Sequence, residues 1–258
     1  MVCVEIEKGK EFFDVLKGLS NIFPSIALIF DDDGMRCGMI DFSRTFMIKW
    51  NIPKDIFSNY DVDGEREVII NLDKFVKSKF KVNNNESLVI ETIDDEAMLV
   101  FRTENKEGRK KEFKIREYVK DDELSDLIFE KDVSLETDVF AIVPYEILKE
   151  IVGYELDTDV LVVRAKSDKI SFERIEDGNL YGVNIELENG TQELVSYDFK
   201  SNDEVMSKYR VQMLKSSLDV LGVSSFTTLE FSMESPLIMS TDSSFGGSVK
   251  VIIAPTII

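Results

Sequence analysis

No histidine occurs anywhere in this sequence. Ser-His-Asp and Cys-His nucleophilic arrangements are therefore excluded. The two cysteines, Cys3 and Cys37, cannot build a Cys/His zinc set without histidine, and both fall in strand-like runs. They read as reduced core thiols of an intracellular protein. No run of about 18 apolar residues is present, so no membrane-spanning helix and no membrane partner are expected. The opening Met1-Val2-Cys3-Val4-Glu5 lacks the basic-then-apolar pattern of a secretory signal. Positive charge is scarce as well, with 31 Lys and Arg against 50 Asp and Glu and a formal charge of −19. At first sight that argues against nucleic acid, but nucleic acid responds to where basic residues sit rather than to their total.

What is present is hydrophobic periodicity. Val2, Val4 and Ile6 alternate as in a strand. A helix is predicted from Gly9 to about Ser20, with Phe12, Val15, Leu16 and Leu19 on one stripe. Strands are predicted at Ser25–Phe30, Met35–Ile40, Thr45–Ile52 and Val68–Asn71. Asp31-Asp32-Asp33-Gly34 forms a turn. A second helix is predicted over Leu72–Lys81, then strands near 86–92, 96–103 and 109–117. The order then begins again. A strand at 134–140 leads to a helix at 144–153, strands at 158–164, 168–175 and 179–187, a polar loop, a helix at 208–220, and strands at 226–232, 236–241 and 247–253. The period is roughly 130 residues, read from that order of elements. The fold class is α+β with antiparallel sheets, in two topologically similar domains at 1–117 and 134–258. The connecting segment, 118–133, is acidic yet carries Leu124, Leu127, Ile128 and Phe129, which a mere spacer does not need.

The chain closes on Lys250-Val251-Ile252-Ile253-Ala254-Pro255-Thr256-Ile257-Ile258. Pro255 ends sheet pairing, and the tail beyond it stays apolar. Met39-Ile40-Asp41-Phe42-Ser43, Tyr60-Asp61-Val62, Leu229-Glu230-Phe231-Ser232, Pro236-Leu237, Gly246-Gly247 and Ala254-Pro255 occur in an order and spacing that resembles the DNA sliding clamps of the proliferating cell nuclear antigen family, of archaeal type. The resemblance spans the whole chain. It implies a trimeric ring with antiparallel sheets outside and the helices, four per chain, lining a hole around duplex DNA. It implies no catalytic residues, no cofactor and no metal. It also implies a set of partners. Double-stranded DNA is held topologically and without sequence preference, and the ring is completed by copies of the chain or by paralogous chains. DNA polymerase, a clamp loader, flap endonuclease and DNA ligase dock through short hydrophobic and aromatic peptides. The implied location is intracellular, cytoplasmic in an archaeon and nuclear in a eukaryote.

If the predicted helices face DNA, basic residues should gather on them. Over 8–20, 72–81, 144–153 and 208–219 the positive residues are Lys8, Lys10, Lys17, Lys74, Lys77, Lys79, Lys81, Lys149, Lys208, Arg210 and Lys215. Glu11, Asp14, Asp73, Glu146, Glu150 and Asp219 oppose them. The segments are thus +5 and the remainder −24, within the −19 total. Phosphates would meet lysines inside while the acidic outside repels DNA. The third helix, with Lys149 between Glu146 and Glu150, contributes little. Ordinary solvated helix faces are the bland alternative.

The resemblance also implies a subunit interface and a docking pocket. Residues 109–116 hold Arg109, Lys110, Lys111, Lys114 and Arg116 against Glu112. Residues 173–188 hold Glu173, Glu176, Asp177, Glu186 and Glu188 against Arg174. Complementary edges of this kind favour head-to-tail closure, with Phe113 and Ile115 packing on Leu180, Val183 and Ile185 of the next subunit. The implied peptide pocket consists of Ile40, Arg44, Leu124, Leu127, Phe129, Pro236, Ile252, Ala254 and Pro255, with the tail available as an added strand. Three other readings compete. One is a specialised subunit of a heterotrimeric or checkpoint clamp. Another is a carboxylate and magnesium enzyme built on Asp31, Asp32 and Asp33. The last is an acidic interaction protein that does not bind DNA.

Overall fold

The computed structural model describes residues 1–93, 97–105, 107–117, 122–129, 135–154, 159–175, 182–243 and 246–256. The chain divides into two compact units. The first holds Met1–Asp41, Ile48–Glu130 and Asp242–Val249, and the second holds Phe42–Met47, Lys131–Thr241 and Lys250–Ile258.

In the first unit, β1 (Val2–Ile6) is followed by α1 (Gly9–Leu19), β2 (Ser25–Asp31) and β3 (Gly34–Ile40). Then come β4 (Phe46–Pro53), whose first residues belong to the second unit, β5 (Asn59–Val62), β6 (Arg66–Asn71) and α2 (Leu72–Lys77). β7 (Ser87–Ile93), β8 (Met98–Glu104), β9 (Lys110–Arg116) and the single-turn α3 (Asp122–Ser125) complete it. One antiparallel sheet runs β5-β1-β7-β8-β9, and β2 pairs with both β6 and β3.

The second unit repeats the plan. It holds β10 (Val139–Pro144), α4 (Tyr145–Gly153), β11 (Val160–Lys166), β12 (Lys169–Ile175), β13 (Gly182–Glu188) and β14 (Ser196–Phe199). β15 (Val205–Arg210), α5 (Val211–Leu221), β16 (Phe226–Phe231) and β17 (Leu237–Asp242) follow, and β18 (Ser248–Ile253) ends the order. Here β14-β10-β16-β17 mirrors β5-β1-β7-β8, and β15-β11-β12 mirrors β6-β2-β3. The α+β class and the duplicated order are as the periodicity predicts.

Sequence pattern explains the elements. On α1, Phe12, Val15, Leu16 and Leu19 are fully buried, which is the stripe an i, i+3, i+4, i+7 spacing makes. Phe12 packs on Trp50, the only tryptophan, with ring centroids 4.6 Å apart. Phe13 and Phe101 both pack on Phe75 of α2, at 5.2 and 4.8 Å. Each such ring stabilises the fold by about 1.5–3 kcal/mol through burial. On α5, Val211, Leu214, Leu218 and Leu221 form the matching buried stripe.

Three of the boundaries that differ from the sequence reading have a clear physical reason. α2 stops at Lys77, because Ser78 caps it and Lys79 turns into the left-handed region with φ +61°. The strand expected at 134–140 is β10, Val139–Pro144, in which Val139, Ala141 and Val143 are fully buried. The helix expected from 208 begins at Val211, because Val205, Ser207 and Tyr209 alternate inward along a strand.

Candidate nucleic-acid and partner-docking surfaces

The predicted DNA-facing residues separate into helical and flanking sets. Lys10, Lys17, Lys74, Lys77, Lys149 and Lys215 lie on α1, α2, α4 and α5. Lys208 and Arg210 do not; they are on β15. Lys8 is the residue before α1, while Lys79 and Lys81 lie beyond the end of α2. The six helical cations meet six helical anions, Glu11, Asp14, Asp73, Glu146, Glu150 and Asp219, so the helix bodies sum to zero. The +5 counted along the sequence therefore resides entirely in Lys8, Lys79, Lys81, Lys208 and Arg210.

Local pairing sharpens the contrast. Lys10 is ion-paired with Asp14 one turn on. Lys149 lies 3.8 Å from Glu146 and over the Tyr145 ring. Lys79, Lys81, Arg210 and Lys215 are exposed. Asn71 caps α2 by accepting from the Lys74 amide at 2.9 Å, which leaves Lys74 and Lys77 exposed on its outer face.

β9 and β13 are both edge strands of their sheets. The charges of β9 are largely engaged within the chain. Lys110 reaches Glu104 at 3.2 Å, Lys111 reaches Glu86 at 2.9 Å and Lys114 reaches Glu112 at 3.2 Å. Phe113 and Ile115 face inward: Ile115 is buried, and Phe113 stacks at 6.3 Å on Phe101. Ile115 is thus a core side chain of its own unit, and Phe113 borders that core half-buried. On β13, Val183 and Ile185 are half-buried. Glu176, Asp177 and Leu180 lie outside the described residues.

Glu86 anchors the β9 edge. Its carboxylate accepts from the Asn83 amide at 2.9 Å, from Asn83 Nδ2 at 2.7 Å and from Lys111 Nζ at 2.9 Å. Burial alone would raise its pKa, but the Lys111 and Asn83 hydrogen bonds together outweigh it and hold the group below its ordinary value.

The implied docking residues fall on both units. In the first, Leu124 and Leu127 are buried and serve as anchors, while Asp122, Glu123, Ser125 and Asp126 beside them are exposed. Ile40 and Phe129 are half-buried, with Lys49 Nζ 5.5 Å above the Phe129 ring. In the second, Arg44 is exposed at φ +55°, Pro236, Ala254 and Pro255 are half-buried, and Ile252 is buried. The Ala254 amide donates to Thr45 O at 2.9 Å and the Thr256 amide to Lys208 O at 2.7 Å. With Pro255 lacking a donor, residues 254–256 present carbonyls as their remaining backbone groups. Ile257 and Ile258 lie outside the described residues.

Asp31, Asp32 and Asp33 build a hairpin. The Asp31 carboxylate accepts from the Asp33 amide at 2.9 Å and the Gly34 amide at 3.2 Å and is ion-paired with Arg36. Gly34 has φ +136°, and a Cβ there would strike Ile52 O. Among the described residues, no group of three Cys, Asp or Glu side chains is placed to hold a metal ion. Cys37 is fully buried, which pushes its thiol pKa up to about 12; it is a core residue.

A family model for the N-terminal domain of proliferating cell nuclear antigen matches residues 1–124. The DNA polymerase sliding clamp of Thermococcus sibiricus is 27% identical over 256 residues, covering 98% of each chain. The crystal structure of the proliferating cell nuclear antigen (PCNA) of Thermococcus kodakaraensis superposes with a TM-score of 0.87 at 22% identity, covering 99% of this chain and 100% of that one. The first 124 residues thus match the N-terminal domain of that family, and the chain shares the fold of these clamps. A PCNA2–PCNA3 complex from Sulfolobus tokodaii also shares the fold, with a TM-score of 0.83 at 22% identity over 98% of each chain.

Among the features that sequence reasoning missed, two bear on these surfaces. One is the seating of residues 127–129 on β3, a long-range backbone contact with no local signal. The other is a tyrosine in each unit that closes a hairpin, Tyr60 and Tyr197. Laying the two halves side by side would have found that pair.

Proposed function

We propose that this chain is a sliding-clamp subunit: it encloses duplex DNA and tethers DNA polymerase, raising processivity without catalysing any step. The observation that carries the reading is the clamp fold along the whole chain, together with relatives named DNA polymerase sliding clamp over 98% of their length. The exposed cations bordering the helices suit a loose, sequence-independent hold on phosphates. We assign DNA contact to Lys8, Lys17, Lys74, Lys77, Lys79, Lys81, Lys208, Arg210 and Lys215, with Lys10 and Lys149 weakened by their acidic partners.

Subunits associate through the β9 and β13 edges, where Lys110, Lys111 and Lys114 set the positive side and Val183 and Ile185 the apolar one. Partner peptides from polymerase, clamp loader, flap endonuclease and DNA ligase use Ile40, Phe129, Arg44, Pro236, Ala254 and Pro255. Leu124 and Leu127 are buried in the first unit and Ile252 in the second. The setting is intracellular.

Light scattering on the purified chain tests the assembly. A mass near three chains of 29.5 kDa supports a self-sufficient ring. A single-chain mass favours the second reading, a heterotrimer subunit, which the PCNA2–PCNA3 complex of Sulfolobus tokodaii motivates.

A further inference from the structure

We infer that Gly38 is a positioning residue for the connector and, through it, sets the affinity of this chain for hydrophobic partner peptides. The inference rests on the docking reading above.

β2 and β3 pair only near their shared turn, from Ile29↔Arg36 to Asp31↔Gly34. Further along, β2 continues with β6, with Ser25 opposite Asn71. Residues 38–40 of β3 are taken up instead by the chain's own connector. The Ile40 amide donates to Leu127 O at 2.8 Å, the Phe129 amide donates to Gly38 O at 3.1 Å, and Met39 bridges Ile128 antiparallel. The connector is thus clipped on as a short added strand.

Only glycine leaves room for the clip. A Cβ built on Gly38 would lie closer to the Phe129 carbonyl oxygen than the 3.0 Å that real Cβ atoms respect, and 3.3 Å from the carbonyl carbon. The obstruction is backbone, which cannot swing aside as a side-chain tip can. The conformation does not itself demand glycine, because Gly38 is absent from the positive-φ positions. Glycine inside a strand weakens it and often marks close backbone approach. Here the approaching backbone is that of Phe129, whose ring sits half-buried under Lys49. A methyl group at position 38 would lift Phe129 and part both hydrogen bonds, while Leu124 and Leu127 keep the rest of the connector seated.

The test is Gly38→Ala, read by amide hydrogen exchange and by anisotropy with a labelled synthetic peptide bearing aliphatic and aromatic side chains. Trp50 fluorescence verifies folding. The expected result is about tenfold faster exchange at Ile40 and Phe129 and about tenfold weaker peptide binding, since two hydrogen bonds of ordinary strength are lost. Exchange across β7 and β8 should stay as in the wild type. Wild-type protection at both amides, or wild-type peptide affinity, overturns the inference. Should Gly38→Ala fail to fold, Phe129→Pro removes the donor to Gly38 O without adding a Cβ; unchanged Ile40 exchange in that variant overturns the clip. A wild-type chain that binds no such peptide overturns the docking reading instead, and exchange alone then decides whether Gly38 seats the connector.

Discussion

The hydroxyl of Tyr60 lies 2.6 Å from the carbonyl oxygen of Gly34 and 2.7 Å from that of Asp31, closing the β2–β3 hairpin from the side. Tyr197 does the same in the second unit, bonding Lys169 O at 3.1 Å and Lys166 O at the β11–β12 turn. Tyr60 sits in β5 and Tyr197 in β14, which are equivalent strands of the duplicated fold. The repeat is therefore preserved in a polar contact as well as in element order. Tyr60→Phe and Tyr197→Phe should each destabilise their own unit by about 1 kcal/mol, the net worth of one hydrogen bond. Denaturant unfolding measures this, with Trp50 reporting the first unit. Unchanged midpoints in both variants would refute the role.

Alkaline stability follows from the same pair. Burial pushes each phenol up to about 12, against about 10 for a free tyrosine. The unfolded chain loses these protons first, so the contribution is intact below the unfolded value and is lost as pH rises through the folded value. Melting temperature should fall across that window, and less steeply in the double Phe variant. A slope unaltered by the double substitution would contradict the assignment.

Much of this architecture is legible in the sequence, for physical reasons. Phe12, Val15, Leu16 and Leu19 announce α1 because a helix must bury one stripe. Asp31 and Gly34 announce a hairpin because their chemistry is local. The misreadings share a cause. Lys208 and Arg210 precede a true helical stripe and carry helix-compatible side chains, but burial of Ser207 and Tyr209 holds them in β15. Lys79 falls outside α2 through a backbone turn that leaves no compositional trace. The packing of Phe113 with Phe75, Phe80 and Phe101 is equally hidden in the sequence, because that cluster is assembled from distant segments.

Glu86 joins the 83–86 turn to β9. Glu86→Ala leaves the Asn83 amide without its acceptor and the Lys111 ammonium with only Lys81 O, and should cost about 1–3 kcal/mol. The sign with pH is the reverse of the tyrosines. Its folded pKa is lowered, so its stabilisation is present above the unfolded carboxylate value and is lost as pH falls through the folded one. Acid titration of the unfolding midpoint, compared between wild type and Glu86→Ala, checks both statements. Parallel curves would show that Glu86 contributes nothing.

Because the helix bodies are neutral, the flanking lysines should dominate phosphate contact. The double variant Lys79→Gln with Lys81→Gln should weaken non-specific duplex binding and flatten its salt dependence by about one to two units of slope. Lys10→Gln, already paired with Asp14, should change little. Binding isotherms over a salt series separate the two, and equal effects would contradict the placement of charge.

The most direct measurement is retention on DNA of defined topology. The chain, with a clamp loader and any paralogous subunits its assembly requires, is loaded onto nicked circular duplex and followed by gel filtration at high salt, before and after linearisation. The account predicts that it stays on the circle and slides off once the circle is cut. Loss from both forms alike at high salt would show binding by contact rather than enclosure, and would contradict the clamp.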